Sequence, residues 1–275
     1  MRHWLLTYDL GTRLALYAPL VMLVFVLWLF LTHLTDPPSR KWTWKALLGI
    51  AVGMFLVQPY FALSWSPPEK YMGDVYRILY MHVPQLIMAM LALTINFGCS
   101  VAYLFKKSWA TDSLAEATAE VGLYLGAVGI TLGSLWAKPT WNTWWTWDPR
   151  LISAAVMMVI YAGYLTLRRF VEDPEKRATW SAVMGIIAGV DIPVLYFSVK
   201  WWRSIHQVQS NPSTVDDRMV VVLRWSYVAF AALTIVLIYQ RFLAAQATRN
   251  REVALPEALP PDEGLPKAAG QGALP

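Results

Sequence analysis

The sequence predicts an all-α polytopic membrane protein: a bundle of about six or seven transmembrane helices with an outward-facing Trp-rich loop. Three observations carry that prediction. The chain is 57% hydrophobic and 15% charged with a mean hydropathy of +0.41, an apolar excess beyond that of soluble domains. Its apolar residues gather into runs of the roughly 20 residues that a bilayer crossing needs. Lys and Arg concentrate in alternate connections between those runs, the charge pattern that orients membrane helices.

The runs lie near residues 14–34, 46–64, 84–105, 117–137, 151–167, 181–199 and 220–242. The first is too long for a signal peptide, no small-residue cleavage motif follows it, and Thr35-Asp36-Pro37-Pro38 reads as a turn. It is therefore an uncleaved span. Residues 1–43 form an N-terminal segment carrying this span, 44–243 a transmembrane core, and 244–275 an Ala/Pro/Gly/Glu-rich tail expected to be cytoplasmic and without fixed structure.

One set of connections holds Arg40, Lys41 and Lys45, then Lys106 and Lys107, then Arg168, Arg169, Lys176 and Arg177, then Arg241, Arg249 and Arg251. These belong inside by the positive-inside rule. The other set is mixed in charge and faces outward. It includes Lys138, Asp148 and Arg150; with seven spans the N-terminus also lies outside, against which Arg2 and Arg13 count, and with six, the first run not spanning, it lies inside and every other assignment stands. A formal charge of +5 in such a chain marks inner loops and not a nucleic-acid site. Cys99 is the single cysteine, which excludes an intrachain disulfide, a CxxC redox pair and a Cys-based zinc site. No nucleophile elbow, HExxH, P-loop or Rossmann glycine run is present, so nothing points to hydrolysis, ATP or nicotinamide chemistry.

In the fourth run Gly122, Gly126, Gly129 and Gly133 form small-xxx-small pairs that allow close helix approach, and packing is the role assigned to them. Asp191, followed by Pro193, is an ionisable group at membrane depth. A structural partner is favoured for it over a ligand or proton role.

The chain has 15 Trp, and WAKPTWNTWWTWDPRLIS places Trp136, Trp141, Trp144, Trp145 and Trp147 in or beside one outward connection. Pro139 is expected to stop the fourth helix, and Asp148-Pro149 to start the fifth with Asp148 as N-cap. A short helical turn between them would align Trp141, Trp144, Trp145 and Asp148 on one side. Such a shelf could hold a large planar ligand; an interfacial belt is the other reading of the tryptophans alone. Two histidines flank the shelf: His82 in LYMHVPQ, just before Pro84 and the expected start of the third helix, and His206 in FSVKWWRSIHQ, beside Trp201 and Trp202. Neutral imidazole is a standard axial ligand of haem iron. His3 and His33 are read as incidental.

These motifs resemble a known family. WAKPTWNTWWTWDPRL is similar to the WWD signature of the haem-handling proteins of cytochrome c maturation, its Arg150-Leu151 ending to the CcmC type in particular; YRILYMHVP and YFSVKWWRSIHQ resemble the family's two histidine motifs. The resemblance runs from about residue 44 to 242. Asn142 stands where the family often has Gly, Ile152 where Thr is common, and the first span is additional to a six-helix pattern.

The resemblance implies a haem-binding and haem-transfer protein of a bacterial inner membrane, and not an enzyme. Haem b would be held transiently at the periplasmic face, with His82 and His206 as axial ligands. Trp136, Trp141, Trp144, Trp145, Trp147 and Asp148 would form the platform, Trp201 and Trp202 would lie beside it, and Arg150 could pair with a propionate. The implied partners are a CcmE-type haem chaperone, CcmA-type and CcmB-type ABC transporter subunits, a small CcmD-type subunit and membrane lipid, with no nucleic acid. The rival readings are a CcsA-like cytochrome c synthase subunit, a bis-His membrane cytochrome subunit and a haem-free transporter or assembly subunit.

Overall fold

A computed structural model describes residues 10–206 and 216–258. His3 and residues 259–275 of the tail lie outside them. Seven helices follow in order: α1 (Leu10–Thr35), α2 (Arg40–Tyr60), α3 (Leu79–Lys106), α4 (Trp109–Trp141), α5 (Pro149–Phe170), α6 (Pro174–Trp201) and α7 (Asp217–Ala258). All seven are long and apolar enough to cross a membrane, and no strand occurs among the described residues. Large apolar side chains such as Val21, Val24, Leu56 and Val159 point outward from the bundle, as a lipid solvent requires.

α1 packs on α2 and α7, burying Val26 and Leu29 against Leu47, Ala51, Ala232 and Val236. At its end His33 is fully engaged. Nδ1–H donates to Arg40 O at 2.9 Å, and Nε2 accepts from the Tyr239 hydroxyl at 3.0 Å. Both ring nitrogens are thus committed to helix packing, in keeping with an incidental histidine.

α3 and α4 are the most closely packed pair. Glycine is what permits it: a Cβ at Gly122 would lie 2.3 Å from Leu93 Cδ2, and one at Gly129 2.4 Å from Leu86 Cδ2. α3 starts earlier than its proline suggested, at Leu79, after a 3-10 turn over Asp74–Ile78. Pro84 sits inside the helix, where its missing N–H frees the carbonyl of Tyr80. Gln58 Nε2, buried on α2, donates to that carbonyl at 3.3 Å and to Ser226 Oγ at 2.9 Å. The cost of the proline is offset by a side chain from another helix, which is why the local bias at Val83 did not decide the boundary.

α4 likewise passes through Pro139. It ends two residues later at Trp141, capped by Asn142, which adopts the left-handed conformation (φ 56°) while Lys138 Nζ reaches its Oδ1 at 3.2 Å. Terminal proline is replaced here by a terminal asparagine.

The opposite end of the bundle is tied by charge. Arg168, in the last turn of α5, forks onto Asp112 at 2.7 and 2.8 Å and reaches Glu116 at 2.8 Å, both on α4. Next to it lies a polar cavity of about 170 Å³. Its far wall comes from α7, where Arg249 lies 3.2 Å from the Trp109 ring centroid, Glu252 pairs with Arg177 at 2.6 Å, and Arg241 pairs with Glu120. These contacts hold α7 to the bundle as far as Glu252, and the helix runs to Ala258, beyond the residue-243 boundary at which an unstructured tail was expected. Composition alone could not register partners on α4 and α6.

Candidate functional site

The connections opposite the Arg168 cluster bring together the start of α3, the end of α4, the start of α5 and the segment after α6. His82 is in the first turn of α3. Its Nδ1 lies 2.9 Å from Gly129 O on α4, and since a carbonyl only accepts, Nδ1 carries the proton. Nε2 is then the lone-pair nitrogen, and no hydrogen bond engages it among the described residues. Trp136 packs edge-on against this ring with centroids 5.8 Å apart. The imidazole occupies the space that a side chain at position 133 would need: a Cβ on Gly133 would lie 2.9 Å from His82 Cε1. Gly129 and Gly133 therefore serve the histidine as well as the helix contact. The glycine spacing signalled close approach without saying to what.

Asp148 is the second anchor. As N-cap of α5 its Oδ1 accepts from Arg150 N–H at 3.0 Å, with Pro149 at the first helical position, as the sequence indicated. The same carboxylate also binds the segment after α6: Oδ1 accepts from Ser204 Oγ–H at 3.1 Å and Oδ2 from Ile205 N–H at 2.9 Å. His206 Nδ1 lies 3.4 Å from Asp148 Oδ1, and the His206 ring meets Trp141 edge-on at 5.1 Å. Burial raises the Asp148 pKa, but hydrogen bonds from Ile205, Ser204 and Arg150 together with His206 outweigh it, so the net shift is downward. His206 is shifted down by burial first and then by the Arg150 charge, against the pull of Asp148, so it favours the neutral form that can ligate. Arg150 and His206 also lie within electrostatic reach of His82.

The Trp residues divide. Residues 142–148 are not helical, so the expected turn aligning Trp141, Trp144, Trp145 and Asp148 is absent. Within this segment Thr143 Oγ1–H donates to Trp145 O at 2.8 Å, while the Thr146 hydroxyl is buried without a hydrogen-bond partner. Trp141 ends α4; Trp145 and Trp147 meet edge-on at 6.2 Å; Trp144 and Trp147 expose 56% and 80% of their surface. Such exposure leaves indole faces open to an apolar partner. Trp136 lies in the interior beside Tyr76 and His82, with its Nε1–H buried and unpaired. Trp201 and Trp202 lie at the end of α6, half exposed and packed on each other, with Trp201 stacked on Phe197. Asp191 is on α6, where its Oδ1 accepts from Ser153 Oγ–H of α5 at 2.7 Å and its Oδ2 is buried without a hydrogen-bond partner.

A bundle of seven helices long and apolar enough to cross a membrane, with two histidines and a Trp-rich connection gathered at one end, defines a polytopic membrane protein. Residues 20–255 match the family described as "Heme exporter protein C", CcmC, and the chain belongs to that family. The match is wider than the motif-bearing stretch and begins inside α1. Among curated relatives, the heme exporter protein C of Escherichia coli K12 is 29% identical over 223 residues, 78% of this chain and 90% of that protein. The Paracoccus denitrificans protein of the same name is 30% identical over 193 residues, 69% of this chain and 78% of its own length. That of Bradyrhizobium diazoefficiens is 29% identical over 194 residues, or 69% and 74%.

Proposed function

We propose that this chain binds haem b as a transient cargo at the periplasmic face of a bacterial inner membrane. It then presents the haem to a CcmE-type chaperone for cytochrome c maturation. CcmA-type, CcmB-type and CcmD-type subunits complete the machinery in this reading. One observation carries it: at the same end of the bundle, the proton-bearing or acid-facing Nδ1 of each histidine lies against a protein acceptor, Gly129 O for His82 and Asp148 for His206. That arrangement leaves Nε2 on both as the nitrogen available to iron. Exposed Trp144 and Trp147, the partly buried Trp145 and the unpaired Trp136 Nε1–H suit a flat apolar ring with polar edges. Arg150, near both histidines, supplies a cation for a propionate. Bound haem would bring an iron with two axial positions to fill, and the chain's part is to hold, orient and release it.

The test is the oxidised and reduced absorption spectrum of detergent-purified wild type, His82→Ala and His206→Ala after haem-sufficient expression. A low-spin bis-His spectrum in the wild type, shifted or lost in each variant at unchanged insertion, is the expected result. Trp145→Ala should slow transfer to the chaperone more than it lowers protein level. A haem-free wild type would leave the Trp-rich connection as an interfacial anchor, and haem retained against the chaperone would favour a resident cytochrome.

A further inference from the structure

We propose that Asp148 is a positioning residue for His206: its carboxylate joins the Trp-rich connection to residues 204–206 and takes up the His206 Nδ1–H, so that Nε2 is delivered to iron. The inference rests on the haem reading above and deepens it by assigning how one ligand is held.

The geometry separates two jobs within one side chain. Capping α5 uses a single contact, Arg150 N–H to Oδ1. A cap alone has no need of the rest, yet the side chain of Asp148 is only 3% exposed and is also bound by Ser204 Oγ–H and Ile205 N–H, the two residues immediately before His206. Ser204 Oγ in turn accepts from His206 N–H at 3.0 Å, closing a small network around the histidine backbone. The imidazole is the remaining partner. Its Nδ1 is buried, has no hydrogen bond, and faces Asp148 Oδ1 at 3.4 Å, a gap that a small ring movement on ligation would close. Carboxylates behind ligating histidines fix the tautomer and ring orientation and strengthen the ligand. His82 has a neutral carbonyl in that place, Gly129 O, so the two axial ligands are held unequally. The carboxylate-backed side is also the one tied to the Trp-rich connection, so platform and ligand move as one unit.

Asp148→Asn isolates the second job, because Asn caps a helix as well as Asp does. It removes the charge and turns one of the two accepting oxygens into a donor. The measurement is made on the full-length protein in detergent, loaded with ferric haem b, following spectrum and rate of haem loss to an apo-globin scavenger. Expected are wild-type insertion, a high-spin component that added imidazole returns to low spin, and haem loss accelerated about 10-fold or more. Combining Asp148→Asn with His206→Ala should give no further acceleration over His206→Ala alone. Wild-type spectrum and loss rate in Asp148→Asn would overturn the inference. So would an equal acceleration by Asp148→Asn when His206 is already absent, since that places the effect elsewhere. Reduced insertion with an unchanged spectrum per inserted protein would assign Asp148 to folding alone and overturn it too. A wild type without haem overturns the underlying reading, a result distinct from each of these.

Discussion

Gly133 has no side chain, and that absence places His82. A methyl group there would come 2.9 Å from Cε1 of the imidazole, closer than carbon atoms pack, so the ring must turn away and its 2.9 Å bond to Gly129 O is strained or broken. Gly98 on α3 makes the control, because a Cβ there meets nothing within 4 Å. Gly98→Ala should be neutral or stabilising by roughly 0.5–1 kcal/mol, the ordinary helix-propensity gain. Gly133→Ala should insert normally and yet lose or shift its haem spectrum, and an unchanged spectrum would show that the ring has room to spare. That both histidines lie at the same end of the bundle beside aromatic residues was legible in the sequence, from the ends of the apolar runs and the neighbouring Trp. The contact of Gly133 was not, since a glycine every third or fourth residue looks the same whether the neighbour is Leu93, Met158 or His82. Only the rotation of α4 against α3 and α5 decides it.

Helix ends show where local signals fail and why. Pro84 and Pro139 both lie inside helices, the first because Gln58 satisfies the carbonyl that Pro84 frees, the second because Asn142 is the residue that turns the chain. Each remedy is tertiary or lies a few residues downstream, outside what a proline reports. Asp148-Pro149 was legible because an N-cap works through neighbouring backbone alone. The ion cluster joining α4, α5 and α7 belongs with the tertiary class. Arg168 was read as a loop cation, yet its side chain is 6% exposed and bound by two carboxylates. Arg168→Ala would strand Asp112, itself 12% exposed at its side chain, and is expected to cost roughly 3–5 kcal/mol. Pairing Arg168→Met with Asp112→Leu should recover most of that loss, because well-packed apolar replacements of a buried pair are often neutral. Thermal unfolding midpoints in detergent separate the two: a single variant as stable as wild type would mean that water replaces the arginine.

Across the whole molecule, seven crossings place the start of α3, the end of α4, the start of α5 and the end of α6 on one side, with the Arg168 cluster on the other. Which side faces the cytoplasm is a question of charge during insertion. The end bearing Arg40, Lys41, Lys45, Lys106, Lys107, Arg169 and Lys176 is the basic one, and the rule counts Lys and Arg with little regard to acids. Pairing of Arg168, Arg177 and Arg241 with carboxylates in the folded bundle therefore does not weaken it. By that rule the histidines and the Trp-rich connection are expected to face outward, as the proposed handover to a periplasmic chaperone requires. Single cysteines in a Cys99→Ala background test this directly. Tyr71, 85% exposed on the histidine side, and Phe170, 80% exposed on the basic side, are suited to replacement by cysteine because neither has a buried contact to lose. In intact spheroplasts a membrane-impermeant maleimide should label Tyr71→Cys and leave Phe170→Cys unlabelled until detergent is added. The reverse pattern would put the histidines in the cytoplasm. Delivery to a periplasmic chaperone would then require haem to cross the membrane after leaving this site, so the proposed order of binding and handover would fail even with the haem ligands correctly assigned.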